Sequence, residues 1–154
     1  MTQPPLPLDH SGLGVLSTRE CFDRIARTAV GRIAFVSNGD PLILPVNHAL
    51  DGDAVVFRSN AGSKLLAADT GSSIAFEVDG FEPTRRNGWS VVIRGIAETV
   101  EDEQEIARLN EFGVEPWADG SDREFWVRIT TYGITGREIV HPPEPASPEK
   151  RNPS

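Results

Sequence analysis

Cysteine is nearly missing from this 154-residue chain, with Cys21 alone present. One thiol forms no internal disulfide and supplies no cysteine-rich zinc site, and His10, His48 and His141 are spread too widely for a metal-ligand spacing. Basic residues are also scarce: 15 Lys and Arg face 23 Asp and Glu, for a net charge of −8. Such a chain lacks the cationic face that nucleic acid or an anionic membrane demands. No apolar run approaches the roughly 20 residues that cross a bilayer. The first eight residues also lack a charged segment leading into an apolar one, so a cytoplasmic location is expected. The patterns GxxxxGK, GxGxxG and GxSxG do not occur, which removes the common phosphate-loop, dinucleotide and hydrolase-elbow readings.

What remains is the length of one domain with one core. Proline gathers at the ends: three lie within residues 1–15 and five within 142–154, both without periodicity. The expected organisation is an N-terminal arm over 1–16, a folded domain over 17–140, and a disordered or wrapping tail over 141–154. The first element opens at Ser17-Thr18-Arg19-Glu20, a capping box in which serine accepts from the third amide and glutamate reaches back. Phe22, Ile25, Ala26 and Ala29 then recur at helical spacing.

From Gly31 the pattern turns to strands over 32–36, 42–50 and 54–58, rich in β-branched and large apolar residues. Asn38-Gly39 and Asp51-Gly52 between them supply the positive φ angles of tight hairpins. A short helix over 63–68, a strand over 72–78, a loop over 79–88 and a long strand over 89–100 follow. Residues 102–112 read as a helix with Ile106 and Leu109 facing in, and the last strand covers 125–131, extended through 133–139. About six strands with brief helices imply a mainly β protein, an antiparallel barrel or sandwich. Pro45 cannot donate to a ladder, so it belongs at an edge, bulge or corner, where open backbone could face a ligand.

The stretch from Val55 to Leu66 carries the chemistry. A strand ends at Arg58, small residues follow, and Ser63 caps the next helix, whose first amides and positive dipole end favour a phosphate. Arg58 can fork onto phosphate oxygens, Lys64 adds a point charge, and Ser59 and Ser63 offer hydroxyls. The competing reading makes these residues solvated charges and an ordinary cap. Trp89, Trp117 and Trp126 could wall a pocket or pack a core or interface. Arg94, mid-strand, must face solvent, a partner or a ligand, with an ion pair across a dimer as the expectation.

Taken in order, Gly31-Arg32-Ile33-Ala34-Phe35, Leu44 to Asp53, Val56-Phe57-Arg58-Ser59, Gly62-Ser63-Lys64 and Gly88-Trp89-Ser90-Val91 resemble the FMN-binding split barrel of pyridoxamine 5'-phosphate oxidase-like proteins. The likeness is closest to the short branch that includes nitroimidazole-resistance-type flavoproteins. It implies a six-stranded antiparallel split β-barrel, a homodimer, and FMN in a groove where the subunits meet. Carried onto this chain, it places Pro45, Val46 and Asn47 along the isoalloxazine edge through their backbone. Phe57, Arg58 and Ser59 would border the ribityl chain and phosphate, and Ser63 and Lys64 would clamp the phosphate. Ser90 stands where larger members carry a glutamine that reaches the ring. His48 would lie near the flavin as an acid, a proton relay or a substrate contact, or else be a hydrogen-bonded structural histidine, and Trp126 is a second candidate substrate contact. The implied activity is a flavoprotein oxidoreductase acting on a small organic substrate. Vitamin B6 oxidation is not favoured, because the cationic residues that hold pyridoxal phosphate are not recognisable. A deazaflavin in the same fold, for which Arg85 and Arg86 are the main further cations, and a non-enzymatic flavin- or haem-binding module are the alternatives.

Overall fold

The computed structural model describes residues 4–59, 73–115 and 125–141. Its elements, in chain order, are β1 (Gly14–Val15), α1 (Thr18–Arg27), β2 (Val30–Ser37), β3 (Asp40–Asp51), β4 (Ala54–Ser59), β5 (Ser73–Glu82), β6 (Asn87–Thr99), α2 (Glu103–Asn110) and β7 (Phe125–Glu138). The expected helix over 63–68 lies outside the described residues.

All pairings are antiparallel, in the order β1-β7-β4-β3-β2-β5-β6, and β6 pairs back onto β7. Six strands therefore close into a ring, and β1 continues the edge of β7 beyond the stretch that β4 covers. Closure follows from the hairpins. Asn38 and Gly39 both carry positive φ, 51° and 82°, as a two-residue type I′ turn between β2 and β3 requires. Gly52 at φ 60° turns β3 into β4. The expected loop over 79–88 is mostly strand: β5 and β6 pair from Ser73↔Ile96 out to Glu82↔Asn87, which leaves four residues for the turn. The Asp, Gly and Pro residues there read as loop because strand propensity registers local composition, while a long cross-strand register overrides it. The two halves of the last strand are one element, kinked where the register shifts opposite Arg94 and Gly95.

Alternate residues of each strand point into the ring. Ile33, Phe35, Val46, Val55, Phe57, Phe76, Val78, Val91, Ile93 and Ile129 fill it. Helix α1 plugs one end with Cys21 and Ile25, and its capping box forms as expected, Glu20 N–H donating to Ser17 Oγ at 3.2 Å. Gly136 allows that close seat, since a Cβ there would come within 2.6 Å of Cys21 Sγ. The expected arm lies against the barrel over its described part, with Asp9 accepting from Ser11 and Leu13 amides and pairing with Arg137 at 2.9 Å. A second, smaller cluster sits outside the ring, where Leu109 of α2 and Val114 cover Val56 and Trp126. No helix among the described residues is long and apolar enough to cross a membrane.

Candidate flavin site

Strand β3 changes partners along its length. Residues 40–47 pair with β2 on one side, whereas pairing with β4 on the other is confined to 48–51. Among the described residues, nothing pairs with the β4-facing side of 41–47. The direction of that backbone is fixed by one bond: His48 N–H donates to the Ala29 carbonyl on the β2 side at 3.2 Å. Strand amides alternate in direction, so Ile43, Pro45 and Asn47 turn their backbone polar groups to the open side. Pro45 thus sits at an edge, and its missing N–H costs the ladder nothing. The open edge offers carbonyls at all three positions and N–H donors only at 43 and 47.

The same alternation decides which side chains can reach a ligand on the outer face. Pro45 and Asn47 face out. The β3–β4 register, continued one step past His48↔Phe57, brings Asn47 opposite Arg58. Arg58 also faces out, directly across from Trp126 of β7, with its guanidinium carbon 5.6 Å from the indole centroid. Asn47 Nδ2 donates to the Glu115 carbonyl at 3.0 Å, and Trp126 Nε1 donates to Asn110 Oδ1 at 2.8 Å. The stretch from the last residue of α2 to Glu115 is therefore fastened on both sides of Arg58. Ser63 and Lys64 lie outside the described residues, as does Trp117.

Other sequence candidates take different places. Val46, Phe57 and Ser59 are buried and belong to the inward-facing set, so their side chains do not reach an outer ligand, and the Val46 backbone groups turn toward β2 and not to the open edge. His48 also points inward. Its Nε2 lies 3.1 Å from the Ile25 carbonyl, its ring meets Phe76 edge-on at 4.9 Å, and Nδ1 is buried without a hydrogen bond among the described residues. Burial pushes its pKa below the usual 6.5, the Ile25 contact only partly offsetting this. These surroundings are those of a structural histidine, not of a substrate contact. Trp126 is 5% exposed and covered by α2, which removes it from direct contact with a substrate.

Ser90 faces outward on β6, which stands opposite β3 in the six-strand ring. It lines a separate cavity of about 320 Å³ with Asp79, Phe81, Trp89 and Arg137. One protomer does not bring Ser90 to the Pro45–Arg58 corner. Arg85 and Arg86 occupy the tip of the β5–β6 turn, two strands from β4.

Sequence reading missed the charged clamp beside this corner. Asp51 accepts from Arg108 and Arg128, Glu105 accepts from the same two guanidiniums, and together they tie α2 to β3 and β7. The Arg108 bonds, helped by Arg128, hold the Asp51 carboxyl at about 2. Only the Glu105/Arg108 pair, three apart on a helix, left a signal in the sequence. Among the described residues, no cluster of His, Cys, Asp and Glu could hold a metal ion.

The donor set suits a flavin nucleotide. An outward-facing arginine near a strand end stands in register with a backbone edge of carbonyls and two amides, and the pyrimidine rim of an isoalloxazine carries complementary acceptors and a donor.

Comparison with known proteins agrees. The family model described as Pyridoxamine 5'-phosphate oxidase matches residues 17–138. An uncharacterized protein of Mycobacterium tuberculosis is 34% identical over 130 residues, 81% of this chain and 84% of its own. The structure of the FAD binding protein from Mycobacterium smegmatis is 34% identical with a TM-score of 0.68, covering 82% of this chain and 99% of that one. A FAD-binding protein from Mesorhizobium loti, 22% identical, shares the fold at a TM-score of 0.68 over 84% of this chain and 98% of its own. With the matched span running from the α1 capping box to the last residue of β7, this chain belongs to the pyridoxamine 5'-phosphate oxidase family.

Proposed function

We propose that the protein is a flavin-dependent oxidoreductase acting on a small organic substrate. The ribityl phosphate lies against Arg58, Ser63 and Lys64, and the isoalloxazine runs along the open edge of β3 at Pro45, Val46 and Asn47. One observation supports this reading: the β4-facing backbone of β3, which has no strand partner among the described residues, ends at Asn47 in register with the outward-facing Arg58. The flavin supplies the redox chemistry, while the protein orients the ring and leaves one face to the substrate. FMN contains every group these residues address. The FAD named for the M. smegmatis relative has the same phosphate and ribityl chain, so it enters the same corner with its adenylate beyond.

A second copy of the chain completes the site. Ser90 faces away from the β3 corner of its own protomer, so a Ser90 that touches the flavin comes from the partner subunit. The outer face also carries an apolar groove of about 800 Å³ bordered by Val36, Ile43, Arg94 and Tyr132, whose Ile43 is 69% exposed. Such a patch is a common mark of a subunit contact.

Titration of purified protein with FMN, FAD and riboflavin tests the phosphate corner. FMN and FAD bind at least tenfold more tightly than riboflavin, and Arg58→Ala with Lys64→Ala removes the difference while the β-sheet circular dichroism stays unchanged. Equal affinity for riboflavin and FMN in the wild type refutes the site. Reductant turnover by the loaded protein separates an enzyme from a passive carrier, and sedimentation gives the mass of a dimer.

A further inference from the structure

We propose that Trp126, fastened by Asn110, is a positioning residue that aims the Arg58 guanidinium at the flavin phosphate, an inference that rests on the flavin-binding reading above. Arg58 and Trp126 are direct cross-strand partners on the outer face, and the guanidinium carbon lies 5.6 Å from the indole centroid. The indole has little freedom. It is 5% exposed, packed by Val56, Leu109 and Val114, and its Nε1 donates to Asn110 Oδ1 at 2.8 Å.

A cation held over an aromatic face gains electrostatic attraction, and the ring takes none of its N–H donors. Trp126 makes such a contact with Arg58, and the contact itself orients the guanidinium without spending a donor. Its burial then serves the cofactor through Arg58 and not through the substrate.

The test compares FMN with riboflavin, which lacks the phosphate, on wild type, Trp126→Leu, Trp126→Phe, Arg58→Ala and the Arg58→Ala/Trp126→Leu double variant. Trp126→Leu weakens FMN by about 2- to 30-fold, the range of a cation–π contact from exposed to desolvated. Riboflavin affinity stays within about twofold, being blind to a guanidinium–aromatic contact of that size. In the Arg58→Ala background the tryptophan change has no further effect on FMN. Trp126→Phe keeps a ring in place and gives an intermediate FMN-to-riboflavin ratio; this variant decides the matter if the leucine protein fails to fold. Equal losses for both ligands, a loss undiminished without Arg58, or a wild-type ratio in Trp126→Phe overturns the positioning role and leaves the phosphate site standing. If Arg58→Ala itself leaves the wild-type ratio unchanged, the phosphate site falls and this inference with it.

Discussion

Single side chains in this barrel are assigned by parity. On β3, Asn47 and His48 are neighbours in sequence but face opposite ways, one to the outer corner and the other to Phe76 and the end of α1. The histidine has a pH signature that follows from its burial. Because its folded pKa lies below the ordinary value, the unfolded chain binds the proton more readily. Stability therefore falls as pH drops from about 6.5 toward the lower folded value, and no further below it. Urea midpoints at pH 7.5 and 5.5 should show this loss in the wild type and a flatter response in His48→Gln; parallel slopes would assign the effect elsewhere. Arg58 stood out in the sequence because the apolar run before it, the small residues after it and Ser63 all lie close together along the chain. The burial of Trp126 did not, since its cover comes from Leu109 and Val114, residues whose meeting with β7 no local pattern announces. The Nδ1 of His48 is similar: only the finished core shows that it has no partner among the described residues.

At the level of elements, the capping box, the hairpin glycines and the apolar face of α2 could all be read directly, because each depends on residues within four positions of one another. Misreading came where length of pairing decides, as in the extension of β5 and β6 across Asp79-Gly80. The clamp that seats α2 was also out of reach, since Asp51 and Arg128 are 77 positions apart. It yields a second pH window, well separated from that of His48. The Asp51 carboxyl is depressed from 3.8 to about 2, so its contribution is complete above about pH 4 and disappears as pH falls toward 2. Asp51→Asn at neutral pH should cost about 1–2 kcal/mol, the worth of charge-assisted hydrogen bonds reduced by partial exposure. Amide exchange should locate that loss in α2, with faster exchange from Glu103 to Asn110 and little change in β2 or β5. Uniform acceleration across the barrel would mean that the clamp holds more than the helix.

For the whole molecule, ring closure removes every strand edge except short ones, and the largest remaining edge among the described residues is the β4-facing side of β3. Barrel class could be inferred from the strand count and hairpins, but closure itself depends on β6 meeting β7, which no single segment encodes. Two prolines, Pro41 and Pro45, lie on the side of the alternation that faces the gap, and neither offers a donor there. Their placement discourages another polypeptide from pairing there, and on the function proposed above it leaves that side to a planar heterocycle. Pro45→Val restores an amide to that rim and should convert it into a template for β-augmentation, so that unliganded protein scatters light on mild heating while flavin-saturated protein stays clear. Equal turbidity with and without flavin would break the link. If the proposed flavin does occupy that edge, it closes the last open side of the barrel as a strand would, and protein made without it is left with an edge that neighbouring chains can pair with.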